Sequence, residues 1–437
     1  MAGDIEKIIA FDFASSGIKA MAAEVMPDNF VRIKSLEKHI VDGIKTGIIE
    51  QPSGIAFHIS ALYKEVINSS GFKSSNPKFS TSFGGKNMKI VEASAEKKLN
   101  RQKAINEEIL NELAQECEKS FRQENMTVYD TIPITYEVDH NEMENPEGVK
   151  GNYIHGSYYL VVGSSQMKLQ FNKCMERIGI YNVEYMPLSA EAFSIAVTEE
   201  HERTKGCAVI NFGGTSTTLA IYKGEILEDL MVVPFGGKHI SRDLEEYGIS
   251  ESLAEKLKCS RGFAAEKYVD KPVNIKIPAI KSGAEPVVVT NLVVSMIIEA
   301  RLEEILQPIL KMIKRYKSEL KHGLIITGGG ASLQGLNEYL QEKTGLPSRL
   351  GDHSGWLTSD TPVIYQKPEY SQLIGTILLT HDYRQLSKKT SINDVSGTKK
   401  KSPRRSIGDA ITQGIFRFFE EDTELQEPDE KTGKSPE

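Results

Sequence analysis

Apolar residues run almost unbroken from Ile8 to Phe13 and again from Ile18 to Val25, with the small residues Ala14-Ser15-Ser16-Gly17 between them. Two such runs around a short turn predict a β-hairpin. The signature returns at Cys207–Phe212 and Thr218–Tyr222, which flank Gly213-Gly214-Thr215-Ser216-Thr217, and a third run, Ile226–Pro234, follows the turn at Lys223-Gly224. A spacing of about 200 residues is that of a duplicated domain rather than of a short solenoid repeat. Between and after these units, apolar residues recur at three and four over Ala56–Asn68, Met167–Ile178 and Leu292–Leu320, which predicts helices. Mixed α/β lobes follow from this alternation.

Two stretches break the rhythm. From about Gly85 to Val162 a charged helical segment, Glu107–Glu124, precedes a polar loop, Asp139–Gly156, as expected of a subdomain inserted in the first lobe. From Ser387 to Ser406 the chain carries seven Lys/Arg against one acid among Ser, Thr, Gly and Pro, a linker composition. Helical spacing then returns over Ile407–Phe419, ahead of an acidic, Pro-containing end, Glu420–Glu437, that is expected to be disordered.

With 437 residues, 39% of them hydrophobic, the chain has the material for several packed domains. A net charge of −7 gives no general basic field, so nucleic acid is not expected as a partner. Cys117, Cys174, Cys207 and Cys259 form no Cys-x-x-Cys pair, which argues against a zinc knuckle or a disulfide framework and fits a reducing cytosol. Met1–Lys7 has no signal-peptide pattern, and no run reaches the roughly 18 to 20 apolar residues of a membrane span.

A hairpin turn of Gly, Ser and Thr lets backbone N–H groups and hydroxyls approach phosphate oxygens, and two facing hairpins make a clamp. Asp12, at the end of the first strand, has the chemistry to hold the water shell of a Mg²⁺ ion that bridges phosphates. Taken singly, such turns are also simply tight hairpins. A third element, Gly323–Leu336, reads as a buried strand, the glycines Gly328, Gly329 and Gly330, and a helix start whose positive end favours anions; its bland alternative is a strand-to-helix connection.

These units in this order resemble the actin, sugar-kinase and heat-shock-chaperone ATPase superfamily, and within it the bacterial cell-division FtsA proteins. The resemblance covers roughly Ile8–Leu379 and the tail. Its most specific parts are Cys207–Asp243 with Val232-Val-Pro-Phe-Gly-Gly237, Ser252-Leu-Ala-Glu-Lys-Leu-Lys258, and Leu324–Leu336. It implies an actin-like (ribonuclease-H-like) duplicated two-lobe α/β fold with an inserted subdomain and a C-terminal amphipathic helix. The implied first lobe is 4–85 with 163–200 and the insertion is 86–162. The second lobe is 201–235 with 321–386, and its smaller subdomain is 236–320. A disordered basic linker, 387–406, a membrane-targeting helix, 407–420, and an acidic disordered tail, 421–437, complete the chain.

The resemblance further implies a nucleotide site for ATP and Mg²⁺ formed by Asp12, Ser15, Ser16, Lys19, Asn211, Gly213, Gly214, Thr215, Gly236, Gly237, Glu255, Lys258 and Gly328–Gly330, with Asp12 holding the metal through water. Glu255 and Lys258, read without the resemblance, are outward charges of a solvated helix. Leu188–Phe193 and Ser371–Thr376 correspond to two connecting helices, where Gly375 permits close packing. The chain also departs from the superfamily pattern. Ala14 fills a glycine position, Asn211 replaces an aspartate, Thr215 replaces a glycine, and Thr218 stands where an acid is common. Asn lacks the charge that holds hydrated Mg²⁺, so the metal site is expected to be weakened, with nucleotide bound and hydrolysis feeble or absent. No catalytic set stands out: the nine histidines show no metal-site spacing, no nucleophile elbow is present, and His201, His239 and His322 read as surface residues.

On a helical wheel Ile407, Ala410, Ile411, Gly414, Ile415, Phe418 and Phe419 share one half, with Phe416 out of place. With Lys399, Lys400, Lys401, Arg404 and Arg405 ahead of it, this segment suits an anionic membrane surface at about 1 kcal/mol per cation; docking on the body or on a partner helix is the other way to bury the stripe. The resemblance implies a peripheral protein on the cytoplasmic face of the inner membrane at the division site. There it would form filaments, anchor the FtsZ ring by docking FtsZ's C-terminal peptide near Arg301 and recruit later divisome proteins. Arg301 is otherwise a solvated helix residue. An actin-like pilus-assembly ATPase and a small-molecule kinase are the alternatives on the same fold.

Overall fold

A computed structural model describes residues 5–99, 104–179, 186–277 and 286–393. The chain opens with β1 (Glu6–Ala14), β2 (Gly17–Val25) and β3 (Val31–His39). β1 and β2 pair antiparallel without a break from Glu6–Val25 to Ala14–Gly17, and β3 adds to β2. Ile8–Phe11 and nearly all of β2 are buried on both faces, which is why they read as continuous apolar runs rather than as alternation. The small hairpin of β4 (Ile44–Lys45) and β5 (Ile48–Ile49) leads into α1 (Pro52–Ser70), with Pro52 in the first turn, where its missing N–H costs nothing. Ile55, Ile59, Leu62 and Val66 form the stripe that α1 buries. β6 (Lys78–Thr81) then joins β1 in parallel, giving the order β3-β2-β1-β6.

The next elements form a sheet of their own. β7 (Lys89–Lys98), α2 (Glu107–Ser120), β8 (Met126–Val138), β9 (Asn141–Met143) and β10 (Tyr153–Ser164) give the strand order β7-β10-β8-β9. Leu110, Leu113 and Cys117 of α2 close over Tyr136, Tyr158 and Leu160 as a separate core. Asn106 caps α2 by accepting from Ile109 N, with Glu107 and Glu108 in the first turn where the helix dipole favours acids. The polar loop expected over Asp139–Gly156 is shorter than its composition suggests. Asp139 and His140, both at positive φ, turn β8 into β9, and β10 already begins at Tyr153, with Ile154 and Gly156 inward and His155 and Ser157 half-buried between them. Period-two alternation carries that strand despite its polar residues.

α3 (Ser165–Glu176), α4 (Ser189–Val197) and α5 (Glu200–Lys205) return the chain to the lobes. β11 (Cys207–Phe212), β12 (Thr217–Lys223) and β13 (Ile226–Val233) repeat the opening meander, followed by α6 (Gly237–Glu245), α7 (Glu251–Arg261), the hairpin of β14 (Asn274–Ile277) and β15 (Val287–Thr290), and the long α8 (Asn291–Tyr316). β16 (Leu324–Thr327) joins β11 in parallel, α9 (Leu336–Thr344) follows, and β17 (Ser348–Leu350) extends the sheet to the order β13-β12-β11-β16-β17. Three antiparallel strands plus one parallel strand beside the first appear in both sheets, and this is the duplication that the spaced hairpins predicted.

The last helix, α10 (Ser371–Asn393), packs against α4 and against β1, β2 and β6. The crossing is tight: a Cβ on Gly375 would lie 1.6 Å from the carbonyl oxygen of Ala192, so only glycine fits, as its place in the sequence suggested. α10 also runs through 387–393, the first residues of the stretch read as linker, where no Gly or Pro stops it. The rest of the linker, the amphipathic segment 407–420 and the acidic tail lie outside the described residues. Among the described residues no helix is long and apolar enough to cross a membrane.

Asp130 of β8 and Glu191 of α4 are buried where the inserted sheet meets the lobe. Asp130 Oδ1 accepts from Thr131 N at 2.8 Å, but Asp130 Oδ2 and Glu191 Oε2 have no donor. Burial raises both carboxyls well above their ordinary range, and the charge of Asp130 raises Glu191 further.

Candidate functional site

A cavity of about 760 Å³ opens between the two lobes, within the size range of small-ligand pockets. Asp12, Ser15, Ser16 and Lys19 reach it from the first hairpin; Asn211, Gly213 and Gly214 from the second; Gly237 from α6; Glu255 and Lys258 from α7; and Gly328, Gly329 and Gly330 from the end of β16. Elements far apart in sequence therefore meet on one space. Two predicted residues stand behind it. Thr215 turns to the facing hairpin, where its Oγ1 donates to Ser15 Oγ at 2.5 Å. Gly236 lies under the second turn, and the amides that follow it are spent on that turn: Gly237 N donates to Gly213 O at 2.9 Å and Lys238 N to Gly214 O at 2.7 Å.

The glycines after β16 do not lead straight into a helix. A short 3₁₀ turn, Gly329–Ser332, comes first, and α9 starts only at Leu336, away from the cavity. Gly-Gly-Gly-Ala-Ser is too weak a helix former to continue the strand as a helix. Helices whose first turns border the cavity include α4, α6, α7 and α10. Gly328 itself has φ +88, and a Cβ there would lie 2.2 Å from Asn211 Oδ1, so the turn and the asparagine side chain share a space that no larger residue leaves open.

The polar groups are arranged in pairs. Lys19 Nζ sits 3.0 Å from Asp12 Oδ2, both side chains buried, and also donates to Glu369 O at 3.2 Å. Gln372, in the first turn of α10, donates from Nε2 to Asp12 Oδ1 at 3.0 Å and to Ser82 Oγ at 3.2 Å. Asp12, expected to hold hydrated Mg²⁺, thus has both carboxylate oxygens engaged and its charge balanced by a buried ammonium. On α7, Lys258 Nζ donates to Glu255 Oε2 at 2.6 Å, to Gly237 O at 2.9 Å and to Ser241 Oγ at 3.0 Å. Burial works to raise the Glu255 carboxyl, but the hydrogen bonds from Lys258 and Ser241 outweigh it and hold it below its ordinary range. Glu255 and Lys258 are therefore a clamp between α6 and α7 at the cavity wall, not outward charges.

Sequence reasoning missed Lys38, Lys238, Glu251 and Gln372, which also line the cavity. Lys38 carries a faint signal, since it lies opposite Lys19 across β2 and β3. His239, read as a surface residue, is half-buried, and its Nδ1 accepts from Gly236 N at 3.1 Å, capping α6; burial lowers its pKa, keeping that lone pair free. Arg301 is not a free solvated residue either. Its Nε and Nη2 bind Asp243 Oδ2 and Oδ1 at 2.5 and 2.7 Å, a bidentate pair from α8 to α6, and Nη1 reaches Glu304.

The groups that line the cavity, two glycine- and hydroxyl-bearing turns, a triglycine turn and a Glu–Lys pair, fit a nucleoside phosphate. Comparison with known proteins agrees with that fold. The family model described as Cell division protein FtsA matches residues 208–375. The cell division protein FtsA of Escherichia coli strain K12 is 24% identical over 387 residues, covering 86% of this chain and 90% of the relative. That of Bacillus subtilis strain 168 is 28% identical over 219 residues, 49% of each chain. Among solved structures, the PilM–PilN type IV pilus biogenesis complex matches with a TM-score of 0.59 at 14% identity, covering 85% of this chain and 97% of that one. MreB5 of Spiroplasma citri bound to ADP matches with a TM-score of 0.53 at 11% identity, covering 90% and 99%. Motifs, duplicated sheets and relatives agree that this chain is similar to the FtsA cell division proteins over most of its length and has an actin-like fold.

Proposed function

We propose that this protein binds ATP between its lobes, assembles into filaments through actin-like contacts, and anchors the FtsZ ring to the cytoplasmic face of the inner membrane, where it recruits later divisome proteins. The convergence of both hairpins, the triglycine turn and the Glu255–Lys258 pair on one cavity carries the nucleotide part. Structures of MreB5 with ADP and with AMPPNP on the same fold support it. Hydrolysis is proposed to be weak, because Ala14, Asn211 and Thr215 alter the phosphate turns. The first lobe, its insertion, the second lobe and its smaller subdomain are proposed to follow the boundaries expected from sequence. The docking face for FtsZ's C-terminal peptide is proposed on the smaller subdomain, 236–320, around the Arg301–Asp243 pair.

The membrane part rests on the apolar stripe Ile407, Ile411, Ile415, Phe418 and Phe419 behind Lys400, Lys401, Arg404 and Arg405. Co-sedimentation of the full chain with FtsZ, with and without anionic liposomes, tests both ends at once. FtsZ is expected to pellet with liposomes only when this protein is present, and deletion of 407–419 to abolish that. Binding that survives the deletion removes the tail from the account. The likeness to the PilM–PilN complex keeps an actin-like pilus-assembly role as the second reading, and failure to bind FtsZ in either arm favours it.

A further inference from the structure

We propose that the cleft takes its nucleoside polyphosphate without a divalent cation, the ammonium groups of Lys19, Lys238 and Lys38 supplying the positive charge that a metal would bring; this rests on the cleft being a nucleotide site.

Magnesium keeps much of its water and needs negative oxygen donors beside the phosphates to hold that shell. Among the described residues of the two hairpins, Asp12 is the one acid that lines the cavity. Its Oδ2 is 3.0 Å from Lys19 Nζ and its Oδ1 accepts from Gln372 Nε2 at 3.0 Å, so a cation already stands where hydrated metal would be held. The position facing it in the second hairpin, Asn211, is neutral, and its side chain leans on Gly328. Among the described residues no group of three His, Cys, Asp or Glu side chains is placed to hold a metal ion. A divalent ion entering here would face an ammonium across a neutralised carboxylate; of the other acids that line the cavity, Glu255 is paired with Lys258, Glu369 is hydrogen-bonded to Tyr370, and Glu251 stands on α7, outside the two hairpins.

The lysines are placed for the opposite solution. Lys238, at the start of α6, reaches across the cleft to donate from Nζ to Ser15 O at 3.1 Å, which sets its charge between the two turn tips. Lys38 lies opposite Lys19 across β2 and β3 and lines the same cavity from an exposed position. Glu255, on the α7 wall, is paired with Lys258. A polyphosphate between the tips would thus meet compact ammonium charges from both lobes, a donor type well suited to phosphate.

The test is equilibrium titration of the full chain with a fluorescent N-methylanthraniloyl ATP, once in excess MgCl₂ and once in EDTA. The dissociation constants are expected to agree within about threefold, and a greater weakening on chelation overturns the proposal. In EDTA, Lys238→Gln combined with Lys38→Gln is expected to weaken binding by about tenfold or more, with far-UV circular dichroism unchanged. An affinity that the double substitution leaves intact overturns the lysines' role. No binding in either buffer overturns the nucleotide reading itself, a result distinct from binding that requires magnesium.

Discussion

Thr215 Oγ1 donates to Ser15 Oγ at 2.5 Å, so the tips of the two hairpins, 200 residues apart in sequence, touch across the cleft. Removing that contact is expected to loosen the closed lobes. Ser15→Ala forfeits one net hydrogen bond, about 1 kcal/mol. Amide hydrogen exchange at 14–17 and 213–216 should speed up by roughly fivefold to tenfold, with the cores of the two sheets unchanged. Equal exchange in both proteins would mean the contact does not hold the lobes.

Gly375→Ala forces a methyl into the carbonyl of Ala192, 1.6 Å from an ideal Cβ, and backbone cannot step aside as a side chain can. A loss of about 3 kcal/mol or more is expected, seen in chemical unfolding as a lower midpoint. Gly355→Ala, where nothing lies within 4 Å, serves as the neutral comparison.

Asp130 and Glu191 make stability fall as pH rises. Both folded pKa values are raised, mainly by burial, above the unfolded carboxylate range near 4, so the folded chain keeps protons that the unfolded chain releases. Their contribution is complete below about pH 4 and is lost as pH climbs through the raised values, at about 1.4 kcal/mol for each pH unit of difference. Asp130→Asn should flatten the decline of melting temperature between pH 5 and 8, both as buffer settings. Glu118 and the Thr131 amide also face Asp130 and remain in the variant. An unchanged slope would remove the pair from the account.

Arg301 and Asp243 share two parallel hydrogen bonds, each side chain about a quarter exposed. Arg301→Ala and Asp243→Ala are each expected to cost about 1 kcal/mol, with a coupling of similar size in the double-mutant cycle. Stability alone would fall alike in both. Binding of an FtsZ C-terminal peptide, measured by fluorescence anisotropy, should drop only where the guanidinium is lost; equal drops would give the pair a purely structural part.

The lobes were legible because their strands are buried on both faces and so appear as unbroken apolar runs, and the hairpin turns between them carry the small residues that phosphate needs. The insertion was legible only as a break. β7, Lys89–Lys98, has no fully buried residue and is mostly Lys, Glu and Ala, which are poor strand formers, so its strand character rests on pairing with β10 rather than on its own composition. Gln372 gave no local sign, since its partner Asp12 lies 360 positions away. Lys238 likewise gains its meaning from Ser15 in the other lobe. Pairings of this kind are decided by the closure of two lobes, which no window of neighbouring residues records.

α10 begins with Gln372 on Asp12 and continues without interruption to Asn393. At 1.5 Å per residue it is a rod of about 30 Å, so a tilt of about 10° at its first turn would sweep the far end by about 5 Å. The cleft and the start of the C-terminal stretch sit at opposite ends of one lever arm. A tilt that a bound ligand imposed on the first turn of α10 would therefore be felt at Asn393, the last described residue.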